Sequence, residues 1–257
     1  MRDPTERFSD RAEGYAKYRP EYPEDMVRFL LTLVPPPATV ADIGSGTGIL
    51  TRQLMNHNYD LYAVEPNEAM RREAERTLSG RPSFRSVCGR AEVTTLADQS
   101  VDLITCAQAF HWFDRVKTKL EFSRILKING VTALLWNERQ EEASFNRAYD
   151  KLLNEMVPEY QNVSHRRVAA EDVQTFFAPG EVQLRTFSNH QSLDRETFLG
   201  RLISSSYVPN IGQPGHREIM EAAEEIFDTH HVGGEIRLEY ETKVYIGRFR
   251  GSTSPSL

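Results

Sequence analysis

The sequence predicts a doubly wound α/β fold, and three observations carry that prediction. Short β-branched or apolar runs alternate with segments of helical periodicity between residues 39 and 136. A glycine-rich turn follows the first of those runs directly. Each connection is long enough for a crossover, so the strands are expected to lie parallel with helices on both faces. Right-handed crossovers then leave few topologies open.

Residues 8–34 read as helical, with a break at Arg19-Pro20-Glu21-Tyr22-Pro23 where two prolines interrupt the run. Pro35-Pro36-Pro37 stops the second helix. Residues 39–43 are a short strand, leading through Gly44-Ser45-Gly46-Thr47-Gly48 into a helix over 49–55. Strands at 60–64 and 83–88 flank a helix at 67–78, and strands at 101–106 and 131–136 flank one at 117–126. From Glu138 the alternation is lost. Residues 145–156, 171–177, 195–206 and 216–229 are helical in pattern, and 181–190 reads as a strand. The last strand, 237–249, alternates with Leu238, Tyr240, Thr242, Val244 and Ile246 on one face. Two such late strands would finish the far edge of the sheet. The expected division is a helical cap or lid (1–34), a ligand-binding core (35–137), cap insertions with the last strands (138–250) and a disordered tail (251–257).

A chain of 257 residues with 39% hydrophobic and 26% charged residues has the make-up of a globular enzyme with a full core. The apolar stretch at 27–34 is interrupted by Arg28 and Thr32 and is too short to span a bilayer. No secretory signal is visible near Met1, so a cytoplasmic location and no membrane partner are expected. A net charge of −6 without a basic stripe argues against nucleic acid as a partner. Cys88 and Cys106 read as buried reduced thiols, and no histidine has metal-ligand spacing, so no metal is expected. The oligomeric state is not legible.

In an open α/β sheet, ligands bind beyond the carboxyl ends of the strands, where strand order reverses. The first strand ends there in Asp42-Ile43-Gly44-Ser45-Gly46-Thr47-Gly48. Glycines let backbone N–H groups approach a ligand, although a tight turn without a ligand would look the same. Two acids sharpen the reading. Glu65 lies 21 residues after Gly44, where a carboxylate grips ribose hydroxyls. Asp42 precedes the first glycine; it would repel a pyrophosphate and attract an ammonium or sulfonium. The spacing is Gly-x-Gly-x-Gly, not the dinucleotide Gly-x-Gly-x-x-Gly, because position 49 is Ile. The balance tips from NAD towards S-adenosylmethionine.

Residues 40–48 resemble the first motif of class I S-adenosylmethionine-dependent methyltransferases, and Val64-Glu65-Pro66-Asn67 resembles their acidic second motif. Gly89-Arg90-Ala91-Glu92, then Leu96 and residues 100–104, resemble the adenine-contacting turn and fourth strand. Residues 107–113 and 124–130 resemble the subgroup of trans-aconitate methyltransferase-like small-molecule enzymes. Ile128-Asn129-Gly130 departs from the Pro-Gly-Gly common there. The resemblance implies a Rossmann-like, mostly parallel seven-stranded sheet with helical cap elements. It implies a methionine moiety lined by Gly44, Ser45, Gly46 and Gly48, with Asp42 near its ammonium group. Glu65 and Pro66 would hold the ribose, Ala91 and Glu92 the adenine, and Gln108 the methionyl end.

The block Phe110-His111-Trp112-Phe113 follows the fourth strand. One reading makes it an aromatic acceptor wall with His111 as the base; the other makes the aromatics helix anchors. Tyr15, Tyr18 and Arg19 either close over the cofactor and meet an acidic acceptor or pack as an amphipathic helix. Tyr207, after Ser204-Ser205-Ser206, supplies acceptor contacts or ends a helix. The expected reaction is in-line methyl transfer; the resemblance alone implies a small carboxylic or hydroxylated acceptor. The rivals are a non-catalytic S-adenosylmethionine-binding module and an NAD(P)-dependent oxidoreductase.

Overall fold

Val40 and Leu103 belong to one apolar layer and their chain neighbours Ala41 and Ile104 to another, the period-two signature of strands buried on both faces. The computed structural model describes residues 12–158, 160, 168–205 and 207–249. The strands are β1 (Ala38–Ile43), β2 (Tyr59–Val64), β3 (Phe84–Val87), β4 (Val101–Ala107), β5 (Leu126–Arg139), β6 (Val182–Asp194) and β7 (Glu235–Gly247). The helices are α1 (Ala12–Tyr18), α2 (Glu24–Leu33), α3 (Ile49–Met55), α4 (Glu68–Leu78) and α5 (Arg115–Ile125), then α6 (Ser144–Met156), α7 (Ala170–Phe177), α8 (Arg195–Ile203) and α9 (His216–His230).

One seven-stranded sheet runs β3-β2-β1-β4-β5-β7-β6. The first five strands pair in parallel, and β7 runs antiparallel to both β5 and β6. Order reverses between β1 and β4, which places a ligand crevice at their carboxyl ends. This is the Rossmann-like α/β fold expected from the alternation. One face is covered by Met26, Val27, Leu30, Leu50, Leu54 and Leu78 of α2, α3 and α4. The other is covered by Phe122, Ile125, Val173, Phe176 and Phe177 of α5 and α7. A third cluster joins α6, α8 and α9 to the far ends of β6 and β7 through Tyr149, Leu153, Phe198, Phe227 and Leu238.

Helix starts follow the local chemistry. Asn67, Asp114 and Asp194 each accept a backbone N–H three residues on, capping α4, α5 and α8. Strand ends do not follow it as closely. β5 continues to Arg139 and β6 to Asp194, because both pair along a long β7 ribbon that local periodicity does not report. The stretch around Ile128 lies within β5 as an irregularity in its pairing with β4. Cys106 is buried, but Cys88 is exposed, correcting the sequence expectation: β3 is the edge strand and ends one residue earlier. Among the described residues, no helix is long and apolar enough to cross a membrane. Residues 1–11 of the expected cap or lid and the tail 251–257 lie outside the described residues.

Candidate active site

A cavity opens at the crevice between the ends of β1 and β4. It is lined by the turn 44–47, Asp42, Glu65, the turn 90–92 and Gln108, with Tyr15, Tyr22, Trp112 and Phe113 as walls. The turn is tied to the neighbouring strand, since the N–H of Gly44 donates to the Val64 carbonyl at 2.8 Å. Gly44 has φ +70°, and a Cβ there would stand 2.6 Å from the Ala109 Cβ, so β4's exit leaves no room for a side chain. Gly46 faces open space, where a ligand can approach the backbone. Gly48 does not line the cavity. A Cβ at that position would meet Leu78 at 2.7 Å, so this glycine lets α3 pack on α4.

Asp42 is 1% exposed yet lines the cavity. Pairing of β1 with β4 sets it opposite Thr105, whose Oγ1 donates to Oδ1 at 2.9 Å; Thr51 Oγ1 of α3 donates to Oδ2 at 2.6 Å. Burial nonetheless raises its pKa above the carboxylate range, the two hydroxyls offsetting only part. Glu65, at the end of β2, accepts from the N–H of Gly46 at 3.0 Å and of Asn67 at 2.8 Å. Burial raises it too, against those bonds and Arg71. Arg71 donates to the Glu65 carbonyl at 3.1 Å and steadies the strand end.

The turn 90–93 closes by an antiparallel bridge between Arg90 and Val93. It is anchored by Glu121 of α5, which accepts from the Thr94 N–H at 2.7 Å and its hydroxyl at 2.5 Å. Glu92 lines the cavity and accepts from the Asp114 N–H at 2.9 Å, and Ala91 is 4% exposed beside it. Gln108 takes φ +57° as β4 ends, and its Nε2 donates to the Asn137 carbonyl at 3.2 Å.

The aromatic block is divided by the fold. Phe110 is fully buried, edge-on to Trp136 and Phe176 at 6.2 and 4.7 Å, and is absent from the cavity wall. Trp112 and Phe113 line the cavity; His111, on the same 3-10 turn, does not, and its ring lies 4.9 Å from that of Trp112. Tyr15 lines the cavity, whereas the Tyr18 ring covers Gly200 of α8 and docks α1 there. Arg19 stacks on Tyr15 at 4.9 Å, and Tyr207 packs on Tyr160 at 5.2 Å, both behind the lining residues. Tyr22, in the segment expected to close over a ligand, lines the cavity, as do Asn67 of the acidic motif and Met70, which the sequence did not single out.

These groups fit S-adenosylmethionine. Two carboxylates held at the cavity against their ionised form would welcome a cation, and the buried hydroxyls of Ser45 and Thr47 have no hydrogen-bond partner. The raised pKa of Asp42 also sets a pH dependence. A carboxyl raised on folding contributes stability in full below its unfolded value of about 4 and loses it as pH rises through the folded value. Urea midpoints of the ligand-free chain from mildly acidic to neutral pH should therefore fall more steeply for wild type than for Asp42→Asn. Parallel profiles would remove Asp42 as the titrating group.

Comparison with known proteins agrees with this geometry. Residues 41–134 match a family profile described as a methyltransferase domain. An uncharacterized methyltransferase of Mycobacterium tuberculosis is 34% identical over 152 residues, which is 59% of this chain and 60% of that protein. The malonyl-[acyl-carrier protein] O-methyltransferase of Methylococcus capsulatus is 33% identical over 124 residues, 47% of this chain and 45% of that one. The chain thus aligns with 60% or less of the length of these relatives. A solved structure from Anaeromyxobacter dehalogenans, named for a type II methyltransferase, matches with a TM-score of 0.67 at 24% identity. It covers 91% of this chain and 100% of that one, a likeness of fold.

Proposed function

We propose that the chain is an S-adenosylmethionine-dependent methyltransferase acting on a small carboxylic or hydroxylated acceptor. The observation that carries this reading is the pair of buried carboxylates, Asp42 and Glu65, at a switch-point cavity walled by aromatic rings. When bound, S-adenosylmethionine supplies an electrophilic methyl group on a sulfonium. Glu65 would take the ribose hydroxyls on the lone pairs its backbone contacts leave free. Asp42, Ser45 and Thr47 would hold the amino-acid end, and the turn Arg90–Glu92 the adenine. Tyr15, Tyr22, Trp112 and Phe113 line the cavity, where they would exclude water and offer aromatic rings to positive charge. The protein's main contribution is alignment of an acceptor for in-line attack.

The net charge of −6 favours a small acceptor over nucleic acid. The resemblance to the trans-aconitate methyltransferase-like subgroup supports a carboxylic acceptor, as does the relative named for malonyl O-methylation. The test pairs calorimetry with labelled methyl transfer. S-adenosylmethionine should bind and NADH should not, and label should pass from it into a small-molecule fraction of a metabolite extract. Binding without transfer would favour a non-catalytic module.

His111 stands apart from the lining, so alignment without an obligatory base is the proposed mechanism. His111→Gln is expected to lower kcat by less than about tenfold. A loss of about a hundredfold with cofactor affinity intact would make it the base.

A further inference from the structure

Behind the cofactor cavity, three arginines converge from distant parts of the chain: Arg19 after α1, Arg139 at the end of β5 and Arg201 in α8. Arg201 is 3% exposed, and its Nε and Nη1 have no hydrogen-bond partner among the described residues. The Nε atoms of Arg19 and Arg139 are buried and unpartnered among the described residues as well. Opposing charge is scarce. Asp150 pairs with Arg139 and accepts from the Tyr160 hydroxyl at 2.8 Å. Among the described residues, Arg19 donates to the Ser205 hydroxyl at 3.3 Å, and no carboxylate pairs with Arg19 or Arg201. Buried cations without counter-charge are costly and call for an explanation.

Their geometry is that of a receiving site. The Arg139 guanidinium lies over the Tyr149 ring at 5.1 Å and that of Arg201 over Tyr240 at 5.9 Å. Arg139 uses Nη2 on Asp150 and the Tyr160 hydroxyl, while its Nε, the Nε of Arg19 and the Nε and Nη1 of Arg201 remain for bonds to a carboxylate. The Tyr207 hydroxyl lies among them: burial opposes its ionisation, yet Arg139, Arg19, a bond with Ser205 and Arg201 bring it below the usual phenol range. The group adjoins the cofactor cavity at two points. Arg19 rests on Tyr15, which lines that cavity. Arg139 follows Asn137, whose carbonyl holds the lining residue Gln108.

We infer that Arg19, Arg139 and Arg201 form a carboxylate-binding subsite that anchors an acidic acceptor next to the methyl donor, a role that rests on the methyl-transfer reading above. The test is thermal unfolding of the whole chain with S-adenosylhomocysteine and, at matched ionic strength, succinate, citrate, inorganic phosphate or neutral succinamide. At least one carboxylate should raise Tm by about 5 °C near saturation, and succinamide should not. Arg201→Met keeps the apolar stem and should lose the shift. Because that charge is unpaired, the variant should keep or exceed the ligand-free Tm of wild type; a fall would mark a structural cation and overturn the subsite. Arg19→Met must weaken the carboxylate shift as well, and an unchanged shift overturns the inference. A shift from phosphate but from neither carboxylate overturns it equally. S-adenosylhomocysteine titrated into the wild type reads the cofactor separately. If it does not bind, the acceptor role falls with the methyl-transfer reading, while an Arg201-dependent carboxylate shift would still register the anion site.

Discussion

Glu65→Ala is expected to weaken S-adenosylmethionine binding by about 1.5–3 kcal/mol, roughly ten- to a hundredfold, with the sheet still folded. The range is that of hydrogen bonds to a charged group. Stability should change far less than affinity, because burial already disfavours the ionised carboxylate in the ligand-free chain. The two N–H groups it would release belong to Gly46, which faces open space, and to Asn67, which also lines the cavity. Glu65→Gln should fall between alanine and wild type. Its amide offers one acceptor oxygen to two backbone donors and turns an NH2 group towards the other. Calorimetry that gave wild-type affinity for the alanine variant would remove Glu65 from the ribose site.

Phe110→Ala should destabilise the protein by about 3–5 kcal/mol, the cost of emptying a large aromatic site in a packed core. At this chain length that corresponds to a fall in Tm of roughly 6–20 °C. Phe110 is fully buried and packs edge-on against Phe113, Trp136 and Phe176 between β4, β5 and α7. Cofactor affinity at a temperature where the variant is folded should stay close to wild type. A small loss of stability with a large loss of turnover would restore Phe110 to the acceptor wall.

The two variants separate what was legible along the chain from what was not. Asp42, Gly44, Gly46 and Glu65 could be marked from spacing, because a strand-to-helix turn and the end of the next strand are local features with local signatures. The helices at Ile49–Met55 and Glu68–Leu78 were legible for the same reason, through periodicity. Spacing within 107–113 shows that aromatics follow β4, but not which of them turn inward. The exit of β4 decides that: Gln108 takes φ +57°, after which Phe110 enters the core while Trp112 and Phe113 face the cavity.

By itself, the sequence determined the alternating α/β plan, the strand after which the glycine turn opens, and the two acids that flank it. These depend on residues a few positions apart, whose relation the backbone of a strand or helix enforces. Only the tertiary structure decided that Gly48 serves packing, that Cys88 is exposed, and that Arg19, Arg139 and Arg201 meet. The last of these depends on a long antiparallel ribbon: β7 pairs with β5 as far as Arg139 and with β6 as far as Asp194, where α8 begins and carries Arg201 inward. Pairing over such separations is set by the burial of whole faces and the hydrogen bonding of whole strands, quantities that no short window of residues contains.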